Sequence, residues 1–105
     1  MKTKHKEVLT ESEIFSFLKS HKDILEKKYN LRKIGLFGSF ARGEQKEGSD
    51  IDFIVEFRRP DFDNFMELAF YLEEAFGRKV ELITNGNISP YLKPYVDKEV
   101  KWYEG

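Results

Sequence analysis

Two aspartates separated by one apolar residue, Asp50-Ile51-Asp52, stand at the head of an apolar run that continues to Phe57. Alternate residues of a strand share a face, so Asp50 and Asp52 point the same way while Ile51, Phe53 and Val55 take the other side. Neighbouring carboxylates repel each other and are costly to bury unless a cation lies between them. Mg²⁺ suits such a pair, because it takes one or two protein carboxylates and completes its octahedron with substrate phosphates and water. In two-metal phosphoryl-transfer sites the ions sit ~3.5–4 Å apart, a gap that shared carboxylates can bridge. Asp50 alone, in Gly48-Ser49-Asp50, also fits a plain turn. Asp52 lies inside the apolar run, where an unpaired charge is expensive, and a turn does not explain it.

Upstream, Gly35-Leu36-Phe37-Gly38-Ser39-Phe40-Ala41-Arg42-Gly43 reads as a strand entering a Gly-Ser turn and then a short helix. A glycine there lets the backbone approach a ligand closely, and N–H groups at the start of a helix attract phosphate. The Ser39 hydroxyl is suited to donating to a phosphate oxygen or to capping the helix. Arg42, one turn later, either neutralises phosphate or pairs with Glu44 or Glu47. Two common phosphate loops are excluded. Gly38 and Gly43 have the outer spacing of a P-loop, but Glu44 stands where its Lys belongs and no Ser or Thr follows. There is no G-x-G-x-x-G fingerprint either.

Gly38-Ser39, then residues 40–49, then Asp50-Ile51-Asp52 on a strand resembles the signature of the nucleotidyltransferase superfamily with the DNA-polymerase-β-like fold. The wording Gly38-Ser39-Phe40-Ala41-Arg42-Gly43 and the short chain are most similar to the minimal nucleotidyltransferases (MNT), often the antitoxin partners of HEPN toxins. The resemblance covers roughly residues 31–103. It implies binding of an NTP, ATP for preference, with one or two Mg²⁺, and transfer of its nucleoside monophosphate to an acceptor with release of pyrophosphate. It also implies that Gly38 and Ser39 hold the β and γ phosphates and that Asp50 and Asp52 bind metal. A third carboxylate is expected from the next strand, and the matching position is Glu81. Glutamate is one methylene longer than the usual aspartate, which changes the metal geometry and the activation of the acceptor hydroxyl. The implied acceptor is a tyrosine of a HEPN toxin.

The elements that must hold these residues follow from hydrophobic periodicity. Thr10 and Glu13 form a capping box for a first helix that carries Ile14, Phe17, Leu18, His21 and Leu25 on one side and runs to about Tyr29. His21 reads as a half-buried core residue, since no second ligand accompanies it. Strands are predicted near 33–38, 50–57 and 79–84. Between the last two, Asp61 or Asp63 caps a helix with Phe62, Phe65, Ala69, Leu72 and Phe76 as its apolar stripe, stopped at Gly77. Val80, Leu82 and Thr84 share one face of the third strand, and Glu81 and Ile83 the other. On residue pattern alone Glu81 also fits a surface position on an edge strand. Asn85-Gly86-Asn87 is a turn, Ser89-Pro90 opens a helical segment, and Pro94 either divides it or begins its longer part. A last helix is expected from Tyr95 to Trp102, with Tyr91, Tyr95, Trp102 and Tyr103 in the core or on a partner surface. The order is αβαβαβα, which gives a small α/β domain with a mixed sheet of about three strands flanked by helices.

The 105 residues suggest one domain, 1–105, with 1–9 as a flexible lead. Ten Phe, five Tyr and one Trp supply its core, and charged residues make up 35% at a net charge of −1. That balance argues against bulk nucleic-acid binding. Without cysteine, disulfides and thiolate metal sites are excluded. No apolar run is long enough to span a membrane and no apolar segment follows the basic N-terminus, which points to a cytoplasmic protein. Arg58-Arg59 reads first as a solvated loop and second as a phosphate contact. The function expected first is Mg²⁺-dependent AMP transfer to a hydroxyl, acting as an antitoxin. The alternative is neutralisation of a partner by contact, with nucleotide binding as a vestige or regulator. Transfer to a small molecule or to tRNA ranks below both, for want of an acceptor domain or a basic surface.

Overall fold

The computed structural model describes residues 9–59 and 62–103, with Phe62 described through its backbone alone. The lead and Asp61 therefore fall outside the described residues, apart from Leu9. The elements run α1 (Glu11–Ser20), α2 (Lys22–Lys27), β1 (Leu31–Phe37), α3 (Ser39–Arg42), β2 (Ile51–Phe57), α4 (Phe62–Phe76), β3 (Val80–Thr84), α5 (Lys93–Glu99) and β4 (Lys101–Trp102). The fold is mixed α/β, as expected. The sheet order is β3-β2-β1-β4. β1 pairs antiparallel with β2 and with β4, while β2 and β3 are parallel and joined through α4. Among the described residues no helix is long and apolar enough to cross a membrane.

The capping box forms as predicted: Glu13 N–H donates to Thr10 Oγ1 at 3.2 Å and Thr10 N–H donates to Glu13 Oε1 at 2.9 Å. The single first helix does not. It divides at His21, whose Nδ1 lies 2.9 Å from the Phe17 carbonyl and whose ring stacks on Phe17 at 3.9 Å between centroids. The backbone leaves helical geometry at His21, φ −112° and ψ 19°, while its N–H still donates to the Phe17 carbonyl at 3.0 Å. His21 is half-buried and packs as a core-edge aromatic.

Period-2 patterning places Ile51, Phe53 and Val55 in the core with Ile34 and Leu36 of β1, Ile14 and Leu18 of α1, Leu25 of α2, and Leu68 and Leu72 of α4. The opposite face of β2 carries Asp52, Ile54 and Glu56. Ile54 is nevertheless buried. The expected last helix ends early, at Glu99, and Lys101–Trp102 forms a fourth strand against Gly35 and Leu36. A Cβ on Gly35 would lie 2.6 Å from Val100 Cγ2 and 2.8 Å from Trp102 Cε3, so the chain after α5 is laid directly on β1. Lys33 Nζ sits 4.0 Å over the Trp102 ring and holds it there. Gly35→Ala is expected to destabilise by about 1–3 kcal/mol through this overlap. Circular dichroism melting would show it as a fall of roughly 4–8 °C for each kcal/mol.

Pro94 begins α5 rather than dividing it, and Ser89 forms a preceding turn in which its Oγ accepts from Tyr91 N–H at 3.2 Å. Trp102 and Tyr103 are half-buried, whereas Tyr91 and Tyr95 are 87% and 69% exposed.

Candidate active site

β1, α3, β2 and β3 converge at one end of the sheet. Phe37, the last residue of β1, pairs with Asp52, and Asp52 pairs in turn with Glu81 across the parallel ladder. Gly38 follows Phe37 and is the N-cap of α3, at φ 78° and ψ −151°. That backbone region is essentially restricted to glycine. Gly38 also lies against the Asp52 carboxylate: a Cβ here would overlap Oδ2 and approach Cγ to 3.2 Å. The chain turns into α3 only because both conditions are met by a residue without a side chain.

Ser39 is the first residue of α3, not its cap, because Gly38 holds that position and makes no side-chain cap bond. The Ser39 hydroxyl is half-buried beside the turn. Arg42 is committed on both sides. Its Nε donates to Glu44 Oε1 at 2.9 Å and its Nη1 donates to Glu99 Oε2 at 3.0 Å. Of the alternatives weighed for Arg42, the pairing with Glu44 is present, and Glu99 joins it in place of Glu47. Gly38 N–H donates to the other Glu99 oxygen at 3.3 Å.

Asp52 is half-buried, Asp50 is exposed just before β2, and Glu81 is exposed on β3. Burial first, and then the negative charges of Glu81 and Asp50, push the Asp52 carboxyl up to about 6 against the opposing charge of Arg42. Glu81 lies with Lys79, Nζ to Oε2 3.5 Å. Among the described residues no three carboxylate or imidazole side chains converge closely enough to enclose a metal ion. Asp52 and Glu81 are register neighbours, and Asp50 and Glu81 both raise the Asp52 carboxyl through their charge, without the three forming a closed cage. Their donors are hard oxygens, the type that Mg²⁺ takes.

Two residues that position the site carry no motif. Arg78 Nη1 donates to the Ser49 carbonyl at 3.2 Å and its guanidinium stands 5.7 Å from the Phe40 ring centroid, tying the loop before Asp50 to α3. Glu99 reaches the turn from α5. Its one sequence signal is a negative charge in the last turn of a helix, where the dipole favours a positive one. Arg58 and Arg59 are exposed beyond the far end of β2, where Phe57 pairs with Leu31, and so they stand away from Asp52. A cavity of about 730 Å³ also lies toward that end, lined by Val55, Phe57, Phe65 and Leu82 among others and not by Asp50, Asp52 or Glu81.

A glycine turn pressed against a strand carboxylate, with further carboxylates near it, is the arrangement expected from the sequence of a nucleotidyltransferase. The profile of the nucleotidyltransferase domain matches residues 18–103, and the chain belongs to that family of enzymes. A Methanocaldococcus jannaschii protein provisionally named protein adenylyltransferase MJ1379 is 48% identical over 95 residues, covering 87% of this chain and 95% of the relative. Protein adenylyltransferase MntA of Thermococcus cleftensis is 40% identical over 94 residues, covering 89% and 95%. Among solved structures, a toxin–antitoxin complex with AMP-PNP matches at 31% identity and a TM-score of 0.66, covering 92% of this chain and 74% of that one. A structure of the tri-AMPylated Shewanella oneidensis HEPN toxin in complex with its MNT antitoxin matches at 26% identity and 0.61, covering 87% and 72%.

Proposed function

We propose that this chain is a Mg²⁺-dependent protein adenylyltransferase that moves AMP from ATP to a tyrosine hydroxyl of a HEPN-type toxin and so acts as an antitoxin. The observation that carries the reading is the packing of Gly38 on Asp52 with Glu81 opposite in register, because it sets a phosphate turn beside a carboxylate face. Gly38 N–H, Ser39 Oγ and Arg42 are the groups for the β and γ phosphates. Asp50, Asp52 and Glu81 are the groups for one or two Mg²⁺. Bound there, Mg²⁺ supplies neutralisation of the triphosphate and polarisation of the α-phosphate. The acceptor oxygen forms its bond to the α-phosphorus as the bond to the β-bridging oxygen breaks. Pyrophosphate leaves, and the hydroxyl proton passes to Glu81, the carboxylate nearest the edge of the sheet. Positioning and charge compensation supply most of the acceleration in transfers of this kind.

A second reading, neutralisation by contact alone, draws on the exposed Tyr91, Leu92 and Tyr95, which place large apolar surface in and just before α5. Mass spectrometry of a cognate HEPN-type toxin, incubated with this chain, ATP and Mg²⁺, separates the two. AMP on a toxin tyrosine is the expected result. A toxin that is bound and silenced but carries no AMP would establish the contact reading instead.

A further inference from the structure

Glu99 reaches the turn from α5 and accepts the Gly38 N–H, and nothing in the helix explains its place. It ends α5, where a negative side chain faces the negative pole of the dipole. Both of its oxygens are engaged across the molecule: Oε1 accepts from Gly38 N–H at 3.3 Å, and Oε2 accepts from Arg42 Nη1 at 3.0 Å. These donors come from the turn and from α3, and they are the groups assigned above to the triphosphate. Glu44 keeps the Arg42 Nε at 2.9 Å, so the guanidinium stays beside the turn when its Nη1 is released. The Arg42 and Glu99 side chains are 44% and 32% exposed, which makes their pair a modest one that a multiply charged ligand can displace.

We infer that Glu99 is a built-in competitor for the phosphate cradle: in the resting chain its carboxylate occupies the Gly38 N–H and the Arg42 guanidinium, and the nucleotide triphosphate must displace it to bind. The inference rests on the reading of Gly38, Ser39 and Arg42 as the phosphate site. Glu99 therefore lowers nucleotide affinity in two ways. It takes the donors that the phosphates need, and it adds a like charge within a few ångströms of them.

The test is calorimetric titration of a non-hydrolysable ATP analogue with Mg²⁺ into the wild-type chain and into Glu99→Gln. The amide has the same shape but sets a neutral group against Arg42. Glu99→Gln is expected to bind about tenfold more tightly at low ionic strength, with the gap narrowing as salt is added. In an Arg42→Gln background the same substitution is expected to give less, because one of the two contested donors is gone. Melting curves taken in parallel report whether each variant is folded, and Glu99→Asp, too short to reach both partners, is expected to bind with intermediate affinity. Equal or weaker binding by folded Glu99→Gln overturns the inference while leaving the phosphate site intact. Failure of every protein, wild type included, to bind the analogue overturns the phosphate site and the inference together.

Discussion

Asp52→Asn is expected to lower kcat for nucleotidyl transfer by about 10³-fold or more, since several kcal/mol of charge compensation at the phosphates depend on that carboxylate. The same substitution is expected to raise the melting temperature at pH 8. The Asp52 carboxyl is lifted from 3.8 to about 6, first by burial and then by Glu81 and Asp50. A carboxyl with its folded pKa above its unfolded one contributes stability that is fully present below the unfolded value and is lost as pH rises through about 6. Above that point the wild-type chain holds an ionised Asp52 among like charges, and the neutral amide relieves it. Solvent reaches the group, so after screening the gain is about 1 kcal/mol, or roughly 4–8 °C for a domain of this size. Thermal melts in chelator should show the two proteins separated at pH 8 and converging toward pH 4. A variant that is inactive yet more stable marks Asp52 as a residue held for chemistry rather than for the fold.

Gly38→Ala is expected to reduce kcat/KM by about 10²-fold, because a displacement of about 1 Å at a positioned site has that effect. Two causes act together. The backbone at φ 78° and ψ −151° excludes a side chain, and the added Cβ would occupy the Asp52 carboxylate oxygen's place. Gly43→Ala separates them. Gly43 also has a positive φ, 72°, but a Cβ there meets nothing within 4 Å. Both variants should melt lower through backbone strain, of order 1–2 kcal/mol for the left-handed Gly43 and more for Gly38, whose φ and ψ are essentially restricted to glycine. Steady-state kinetics should show the large loss in Gly38→Ala alone.

The residues proposed to carry the chemistry were legible in sequence by two routes: strand alternation singled out Asp50 and Asp52, and the family resemblance singled out Glu81. Period-2 alternation put Asp52 and Glu81 on strands, and the observed β2 and β3 pair them directly. The Gly38-Ser39 turn after a strand is a local pattern too, although the glycine rather than the serine proves to be the cap. What escaped the sequence depends on contacts between distant segments. The break at His21 accompanies a ring that stacks on Phe17 and lies against its carbonyl, contacts that helical periodicity does not register. β4 has only two residues, too few for an alternating pattern, and exists because β1 offers it an edge at Gly35. Arg78 and Glu99 reach the site from elements read only for their packing, so nothing in their own neighbourhoods announces the Ser49 carbonyl or Gly38 as a partner.

Label position in ATP tests the chemistry most directly. The chain is incubated with Mg²⁺ and a cognate HEPN-type toxin, once with ATP radiolabelled on the α-phosphate and once with ATP labelled on the γ-phosphate, alongside Asp52→Asn in each case. Label from the α-phosphate should appear on the toxin, label from the γ-phosphate should remain in pyrophosphate, and Asp52→Asn should give neither signal. Transfer of the γ-label, or transfer of the α-label by Asp52→Asn at the wild-type rate, would contradict a nucleotidyltransferase centred on Gly38 and Asp52.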